Sequence, residues 1–487
     1  MIVLPVVFIS LLALVGGAYV TNPFSRFTII KRPFTVQMVM GTLQAINHNH
    51  KLQVRQQWYW KLFATLKMTI HILETRYVRS PRSNADSLNG IIADIHRQRF
   101  NPDKLLLTSG DHFSALFVRN LGVFYYPMLD ARIQSDEQDW HNRQTSYLQT
   151  VAYALGVFEK YPVPVPTIVP TGAYSATCVK FWSYPSDTVY GILYALAALS
   201  GKEAAAPVDY GKKQQRANTT MAAKVLMNEY HDTLVVLYAD YRETVFDPET
   251  NLIKQGLHLS GAKDITRRKC AFYDNVIFWK TTELAMKLGV IENDKHFLST
   301  VKKHIIEAFW LEEEGYFLED LSDDGKAGKY YSSDWLIVLI TGFLSPANKD
   351  EQHYFTKSIA YIQAKGIDKP FAIKYQHEAR GQRSYFWPRI AFASYGGDVI
   401  WSFWGMEYIK TLILLYKATG EQQYKEAARK HLRAYEKTMR RDGGFPETMS
   451  RTGELYETLL YRSIRLTGWV IGFEQARNMY EAYAESV

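Results

Sequence analysis

Cysteine is scarce in this chain, since only Cys178 and Cys270 occur among its 487 residues. One disulfide can form between them, but nothing in the sequence requires it, and neither lies in a cluster with metal-ligand spacing. The sequence also lacks a Gly-x-Ser-x-Gly nucleophile elbow, and the pair Gly396-Gly397 has no phosphate-loop context. We therefore expect no metal, no cofactor and no serine-nucleophile chemistry.

No long block of Lys or Arg is present, although the formal net charge is +8 and the pI is near 9.0. The cations are spread along the chain without a nucleic-acid motif, so we expect no nucleic-acid partner. A basic patch facing anionic lipid explains the surplus better. Aromatic residues make up 14% of the chain. Tyr and Trp suit sugar binding because flat rings stack on pyranose faces, although a large core also uses them.

Residues 2–20 carry no charged side chain and are long enough to span a bilayer as a helix. A signal peptide cleaved near Gly16-Gly17-Ala18 is the alternative, but the positively charged n-region is missing. The first cations, Arg26, Lys31 and Arg32, follow the segment. The sequence thus predicts a membrane-anchored protein with a single N-terminal span, on a side of the membrane that stays open.

Beyond this segment, apolar residues recur at helical spacing, and no convincing run of strands appears. The predicted helices cover residues 114–129, 145–160, 188–200, 219–241, 274–288, 294–310, 334–344, 350–365, 399–419, 421–440 and 464–484. This pattern predicts an all-α fold, an (α/α)6 barrel of paired helices. An α-solenoid or two stacked bundles are the alternatives.

Three units follow from this pattern: residues 1–21 as the anchor or a signal-like segment, 22–88 as an N-terminal helical region, and 89–487 as the catalytic barrel. Residues 34–74 form one or two amphipathic helices with clustered aromatic residues at 58–63. A helix that faces the core explains this stripe better than a helix on a membrane surface.

Two acids lie on loops that enter predicted helices. Asp264 follows the small-residue bend Ser260-Gly261-Ala262, and Glu447 follows Gly443-Gly444-Phe445-Pro446. Asp264 also suits a helix N-cap, which is the alternative for that position. Two such carboxylates on the loops of one barrel are the residues that glycoside hydrolysis requires.

Other loops supply candidate sugar-binding residues. Asp111 and Arg119 are predicted to hold sugar hydroxyls, with a cap and a helix-face ion pair as the alternative. Glu378, in a polar loop, competes for the role of catalytic acid. Trp387 and Trp401 lie in an aromatic loop that suits the wall of a sugar site.

These loops together resemble the six-hairpin glycosidases, the (α/α)6 superfamily that includes glucoamylases, trehalases and processing glucosidases. Residues 444–454, with 461–463 and 468–469, resemble the segment of the general base, and residues 260–264 resemble the loop of the general acid. Phe117-Val118-Arg119-Asn120 is similar to an early substrate-gripping motif in which an Asp is usual at the last position. Residues 395–401 resemble a Gly-x-x-x-Trp sugar-site loop. The resemblance spans residues 109–484.

The resemblance implies an inverting glycoside hydrolase acting on an α-linked glucoside, mannoside or related oligosaccharide. Asp264 would protonate the leaving oxygen and Glu447 would activate water, with their carboxyl groups roughly 6.5–9.5 Å apart. Arg267 and Arg268 are expected to bind substrate or to point away from the acid, because a nearby guanidinium would lower the pKa of Asp264.

Three alternatives remain at this point. A phosphorylase would replace the base by phosphate, and a sugar epimerase would use His, for which His112, His258 and His377 are available. A non-catalytic carbohydrate-binding protein at the membrane would keep the aromatic cleft and tolerate the loss of both carboxylates.

Overall fold

A computed structural model describes residues 34–108, 110, 113–130, 133, 137–180, 184–203, 219–260, 262–263, 265–377 and 383–484. Its helices are α1 (Phe34–His50), α2 (Trp58–Tyr77), α3 (Leu88–Arg99), α4 (Glu137–Lys160), α5 (Thr188–Leu199), α6 (Thr220–Glu229), α7 (His231–Val245), α8 (Phe272–Leu288), α9 (Lys295–Phe309), α10 (Asp323–Ala327), α11 (Ile337–Thr341), α12 (Gln352–Ala364), α13 (Phe386–Ala391), α14 (Ser402–Thr419), α15 (Gln422–Asp442) and α16 (Val470–Ala484).

Short strands lie between the helices. They are β1 (Gln53–Val54), β2 (Leu116–Phe117), β3 (Thr167–Gly172), β4 (Ser175–Val179), β5 (Tyr184–Pro185), β6 (Phe246–Asp247), β7 (Leu252–Ile253), β8 (Leu259–Ser260), β9 (Trp310–Leu311), β10 (Tyr316–Phe317), β11 (Ile400–Trp401) and β12 (Thr448–Met449). Strands β1, β4, β3 and β2 form one sheet in that order, with β1 parallel to β4 and the other pairs antiparallel.

Within the described residues, six segments pack side by side as a closed inner ring. In ring order they are residues 118–129, α5, α8, residues 333–341, α14 and α16, and α16 packs back against the 3-10 turn Tyr126–Leu129. Helices α3, α4, α7, α9, α12 and α15 precede these segments and lie outside them. Each outer helix and the inner segment after it form a hairpin, which gives the (α/α)6 arrangement that the sequence predicted.

The two kinds of connection in this double ring differ in length. Most inner segments lead to the next outer helix through short turns, and Gly289 and Gly420 end α8 and α14 with φ of 78° and 75°. The exception follows α5, where α6 lies between α5 and the outer helix α7. Outer helices lead to inner segments through long loops, at residues 100–117, 161–187, 246–271, 310–332, 365–401 and 443–469. All long loops therefore meet at one end of the ring, where the inner segments begin.

Burial patterns explain which helices are inside. Helix α14 is buried on every side from Ser402 to Tyr416, as expected for a helix surrounded by protein. Helix α15 buries one face only, with buried residues at helical spacing that include Tyr424, Ala428, Leu432 and Tyr435. A single apolar stripe therefore marks α15 as an outer helix, whereas the outer helix α4 is buried continuously from Thr150 to Phe158 because α1 packs on it.

The first and last hairpins are joined by the buried side chain of His96. Its Nδ1 lies 2.9 Å from Oδ1 of Asp139 on α4, and its Nε2 lies 2.7 Å from Oε2 of Glu474 on α16. Burial alone would lower the pKa of His96, but the two carboxylates outweigh it and raise the pKa to about 9. The imidazole is therefore charged at neutral pH and links α3 with both neighbours.

Several sequence predictions need correction here. Residues 114–129 are predicted as one helix but form β2 and two 3-10 turns, with Pro127 at the start of the second turn. The predicted helix 219–241 is divided at Tyr230 into α6 and α7. The fold is mostly helical, as predicted, and the loop between α4 and α5 adds the β3–β4 hairpin. Cys178 and Cys270 are buried and unpaired.

The prediction of a membrane-anchored protein is also wrong. In the ranges that the structure describes, no helix is both long and apolar enough to cross a membrane. The twenty-residue helix α2, for example, carries Lys61, Lys67, Glu74 and Arg76. Residues 2–20, on which the predicted anchor was based, lie outside the described residues.

Candidate active site

A cavity of about 520 Å³ opens where the long loops meet. Its described lining comes from helix α2 and from the loops at residues 108–124, 179–180, 262–265, 392–401, 447 and 469. Because these residues belong to loops of five hairpins and to α2, the cavity lies over the mouth of the inner ring. Glu447 is the one carboxylate in the part of the lining that the structure describes.

Backbone hydrogen bonds on both sides fix the position of Glu447. Strands β11 and β12 pair antiparallel with Trp401 opposite Thr448, which brings the Glu447 loop beside the start of α14. The N–H and the hydroxyl of Ser402 donate to the Glu447 carbonyl over 3.1 and 2.9 Å. The Glu447 N–H donates to the Ile464 carbonyl over 3.0 Å. The side chain is therefore presented from a rigid support.

Two tyrosines orient the Glu447 carboxylate, which is 3% exposed. The Tyr395 hydroxyl donates to Oε1 over 3.0 Å, and the Tyr461 hydroxyl donates to Oε2 over 3.1 Å. Burial and the adjacent Glu447 raise the pKa of Tyr461 well above its ordinary value, so this phenol stays protonated. An ionised carboxylate oxygen offers more than one lone pair, so a carboxylate held by hydroxyl donors is still of a type that accepts a proton from water.

Polar groups of the first hairpin lie in the same cavity. Arg119 and Asn120 are both buried in the 3-10 turn after β2, and the Arg119 guanidinium carbon is 4.9 Å from the centre of the Phe117 ring. The Asn120 side-chain nitrogen and the Trp469 indole nitrogen are buried there without a hydrogen-bond partner in the described structure. Both donors are available to a ligand hydroxyl.

Aromatic rings form the wall beside Glu447. Trp401 donates its indole N–H to the Tyr395 carbonyl over 2.9 Å, and its ring stacks with Trp469 at a centroid distance of 6.0 Å. Trp469 stacks in turn with Phe124 at 4.7 Å. These contacts hold flat apolar faces next to a carboxylate, the combination that pyranose rings bind.

A buried ionic network supports the loop that follows β8. Lys263 Nζ lies 2.6 Å from Oε1 of Glu319, whose Oε2 accepts from Arg383 over 2.7 Å. Burial alone would raise the pKa of Glu319, but Lys263 and Arg383 outweigh it and lower the pKa to about 2. Arg268 lies 2.6 Å from Oδ2 of Asp334. The network fixes the Lys263 backbone against the neighbouring loop.

No family model and no curated protein sequence matches this chain. Among solved structures, the glucoamylase from Saccharomycopsis fibuligera is similar with a TM-score of 0.51 at 11% identity, over 85% of this chain and 99% of that one. The cellobiose 2-epimerase from Spirochaeta thermophila is similar with a TM-score of 0.50 at 10% identity, over 85% and 97%. The chain has the six-hairpin glycosidase fold.

In this six-hairpin fold, the predicted site residues divide into three groups. Glu447, Arg119 and Trp401 meet in the cavity at the mouth of the ring. Arg267 and Arg268 do not line that cavity: Arg268 belongs to the ionic network, and Arg267 lines a second cavity of about 730 Å³. Their role in substrate binding stays a prediction.

The remaining predicted site residues cannot be placed. Asp264, Asp111 and Glu378 lie outside the described residues, as does the side chain of Trp387. The helix after Asp264 begins at Phe272 with Ala271 as its N-cap. The described residues contain no group of three metal-ligating side chains, and independence from metal stays a prediction.

Sequence reasoning missed one whole wall of the six-hairpin cavity. Helix α2 contributes Thr65, Met68, Thr69 and Ile72 to the lining. Their spacing of i, i+3, i+4 and i+7 shows a single helical face, but the same spacing describes any helix packed on a core. Tyr395 and Tyr461 lie inside motifs that the sequence singled out, and only the structure shows that they bond to Glu447.

Proposed function

We propose that this chain is an inverting glycoside hydrolase that cleaves an α-linked glucoside, mannoside or related oligosaccharide. Glu447 is its general base and Asp264 its general acid. The observation that carries the proposal is the Glu447 carboxylate, buried at the mouth of the ring between two tyrosine donors and beside the stacked rings of Trp401 and Trp469.

The proposed reaction is a single displacement. A water molecule held by Glu447 attacks the anomeric carbon while Asp264 protonates the departing oxygen. Glu447 accepts the proton of the water, and the hydroxyls of Tyr395 and Tyr461, which donate to its two oxygens, hold the carboxylate in place. The donors of Asn120 and Trp469 are available to sugar hydroxyls, since both lie in the cavity.

The fold by itself does not separate a hydrolase from an epimerase, because one of each is similar to this chain. The cavity favours hydrolysis. No histidine is among its described lining residues, whereas Glu447 is. Of the histidines available to an epimerase, His258 lines the second cavity and His112 lies outside the described residues.

The test uses three isosteric variants and two kinds of substrate. General acid–base assistance is worth about 10²–10⁴-fold, so Asp264→Asn and Glu447→Gln should each lower kcat by about that factor. An aryl glycoside with a good leaving group should partly rescue Asp264→Asn but not Glu447→Gln. Glu378→Gln is the control, because Glu378 is the competing carboxylate.

Three results would contradict this proposal. Loss of activity in Glu378→Gln with retention in Glu447→Gln would assign the base to Glu378. Retention of configuration in the first sugar product, followed by NMR, would exclude inversion. Turnover that requires added phosphate would identify a phosphorylase instead.

A further inference from the structure

Helix α2 covers the cavity of Glu447 as a roof. Its face formed by Thr65, Met68, Thr69 and Ile72 belongs to the lining, and Met68 packs with Phe117 and Val179 in a small separate core cluster. Leu62 and the aromatic residues Trp58 and Tyr59 at the start of the helix are exposed and lie outside the described lining. The helix thus contributes to the cavity through its later turns and exposes apolar side chains at its start.

The roof is attached on two sides of the cavity. On one side, Lys67 is buried and its Nζ donates to the Pro170 carbonyl of β3 over 2.9 Å. On the other, Arg76 Nε donates to the Thr458 carbonyl over 2.8 Å, and the Tyr77 hydroxyl donates to the Leu459 carbonyl. Because residues 458–459 follow β12 in the Glu447 loop, α2 bridges the mouth of the ring from the β3–β4 hairpin to that loop.

The chemistry of the cavity changes from floor to roof. Glu447, Asn120 and the Trp469 indole nitrogen supply polar groups on the floor. On the roof, the hydroxyls of Thr65 and Thr69 donate to backbone carbonyls of α2, and Met68 and Ile72 carry no hydrogen-bonding hydrogen. Aliphatic or aromatic side chains such as Val179, Ile265 and Phe113 continue this surface, and Lys180 also lines the cavity. A second sugar unit placed there would find few partners for its hydroxyls, which is costly.

We propose that the substrate is a glycoside with an apolar aglycone, of the alkyl, isoprenoid or aryl class. The sugar lies on the Glu447 floor and the aglycone lies against Met68 and Ile72. This orientation rests on the proposed function, but the preference for an apolar group follows from the lining alone. The volume of about 520 Å³ suits a ligand of this size, because drug-sized ligands occupy pockets of about 300–1,000 Å³.

Calorimetry on the full chain carrying Glu447→Gln tests the proposal without consuming the ligand. The probes are hexyl and methyl α-glucosides and α-mannosides. The measured quantity is the affinity for the hexyl glycoside divided by the affinity for the methyl glycoside of the same sugar. Each buried CH₂ group raises affinity about four-fold, so burial of only about two of the additional CH₂ groups of the hexyl chain should give a ratio of about ten or more for the preferred sugar. Met68→Gln and Ile72→Thr should each lower this ratio about five-fold, because each replaces apolar surface that would contact the alkyl chain by a polar group.

Leu62→Thr is the matched control, because Leu62 lies on the same helix and is 50% exposed. It should leave the ratio unchanged. A ratio near one, no detectable binding of the hexyl glycosides, or an equal loss for hexyl and methyl probes in the roof variants would overturn the proposal. If the roof variants lower the ratio of hexyl to methyl affinity but Glu447→Gln does not lower turnover, the preference for an apolar aglycone stands and the proposed hydrolase mechanism is refuted.

Discussion

The Tyr461 hydroxyl donates to Oε2 of Glu447 over 3.1 Å, from a ring that is fully buried. Removing this donor leaves one carboxylate oxygen without its support and lets the group rotate. We expect Tyr461→Phe to lower kcat about ten-fold with little change in KM, since a misplaced base acts on the reaction and not on substrate binding.

Tyr456→Phe is the control for this change. Tyr456 belongs to the same aromatic cluster, but its hydroxyl donates to the Ala393 carbonyl and not to Glu447. Steady-state kinetics on both variants should separate them. Equal losses of kcat would show that the cluster acts on catalysis only through packing.

Asn120 should contribute to binding and not to stability. Its buried amide nitrogen has no hydrogen-bond partner in the described structure, so Asn120→Ala removes no bond from the free protein. We expect KM to rise about five- to ten-fold, the effect of one neutral hydrogen bond, while the melting temperature stays the same.

Asn49→Ala should lower the melting temperature and leave KM unchanged. The Asn49 amide donates to the Ala152 carbonyl over 2.8 Å and to the Tyr230 hydroxyl over 3.0 Å, away from the cavity. The melting temperatures and KM values of Asn120→Ala and Asn49→Ala, from thermal unfolding and initial rates, distinguish the two roles. A drop in melting temperature for Asn120→Ala with unchanged KM would show that Asn120 has only a structural role.

Stability should fall as pH rises because of His96. Its pKa is raised from 6.5 to about 9 in the folded protein, so its contribution is complete below pH 6.5 and is lost as pH approaches 9. The contribution is at most about 3 kcal/mol. Urea unfolding of wild type and His96→Gln between pH 6 and 9.5 should show a difference that shrinks with pH. A constant difference would contradict the assignment.

Glu319 and Lys263 should respond unequally to neutralisation. Glu319→Gln leaves the buried Lys263 without its carboxylate, which should cost about 3–5 kcal/mol. Lys263→Met should cost less, because Glu319 keeps Arg383 at 2.7 Å and Gln376 at 2.9 Å. Denaturant unfolding measures both free energies. A larger loss for Lys263→Met would mean that Arg383 does not compensate Glu319.

Sequence patterns predict some parts of this molecule and not others. Most of the helices were predictable because their apolar residues recur at helical spacing. Residues 114–129 were not, because their apolar content is shared by a helix and by tightly packed turns. Glu447 and Trp401 were found as separate motifs, but the pairing of β11 with β12 that brings them together depends on contacts distant in the chain.

The roof is the clearest case of information that the sequence does not carry locally. Met68 and Ile72 look like any core-facing residues, and only the docking of α2 on β3 and on residues 458–459 makes them part of the cavity. The residues adjacent to Glu447 in the sequence were enough to single it out as a candidate base. The part of the cavity formed by α2 can be identified only from the three-dimensional structure.

The contact between His96 and Glu474 also constrains when the protein can fold. The two residues are 378 positions apart, so the ring cannot close until Glu474 has been synthesised. Until then, the side of the first hairpin that meets α16 has no partner, and contacts of such separation form slowly. The hairpins made before Glu474 therefore form an open arc whose uncovered apolar surface favours aggregation.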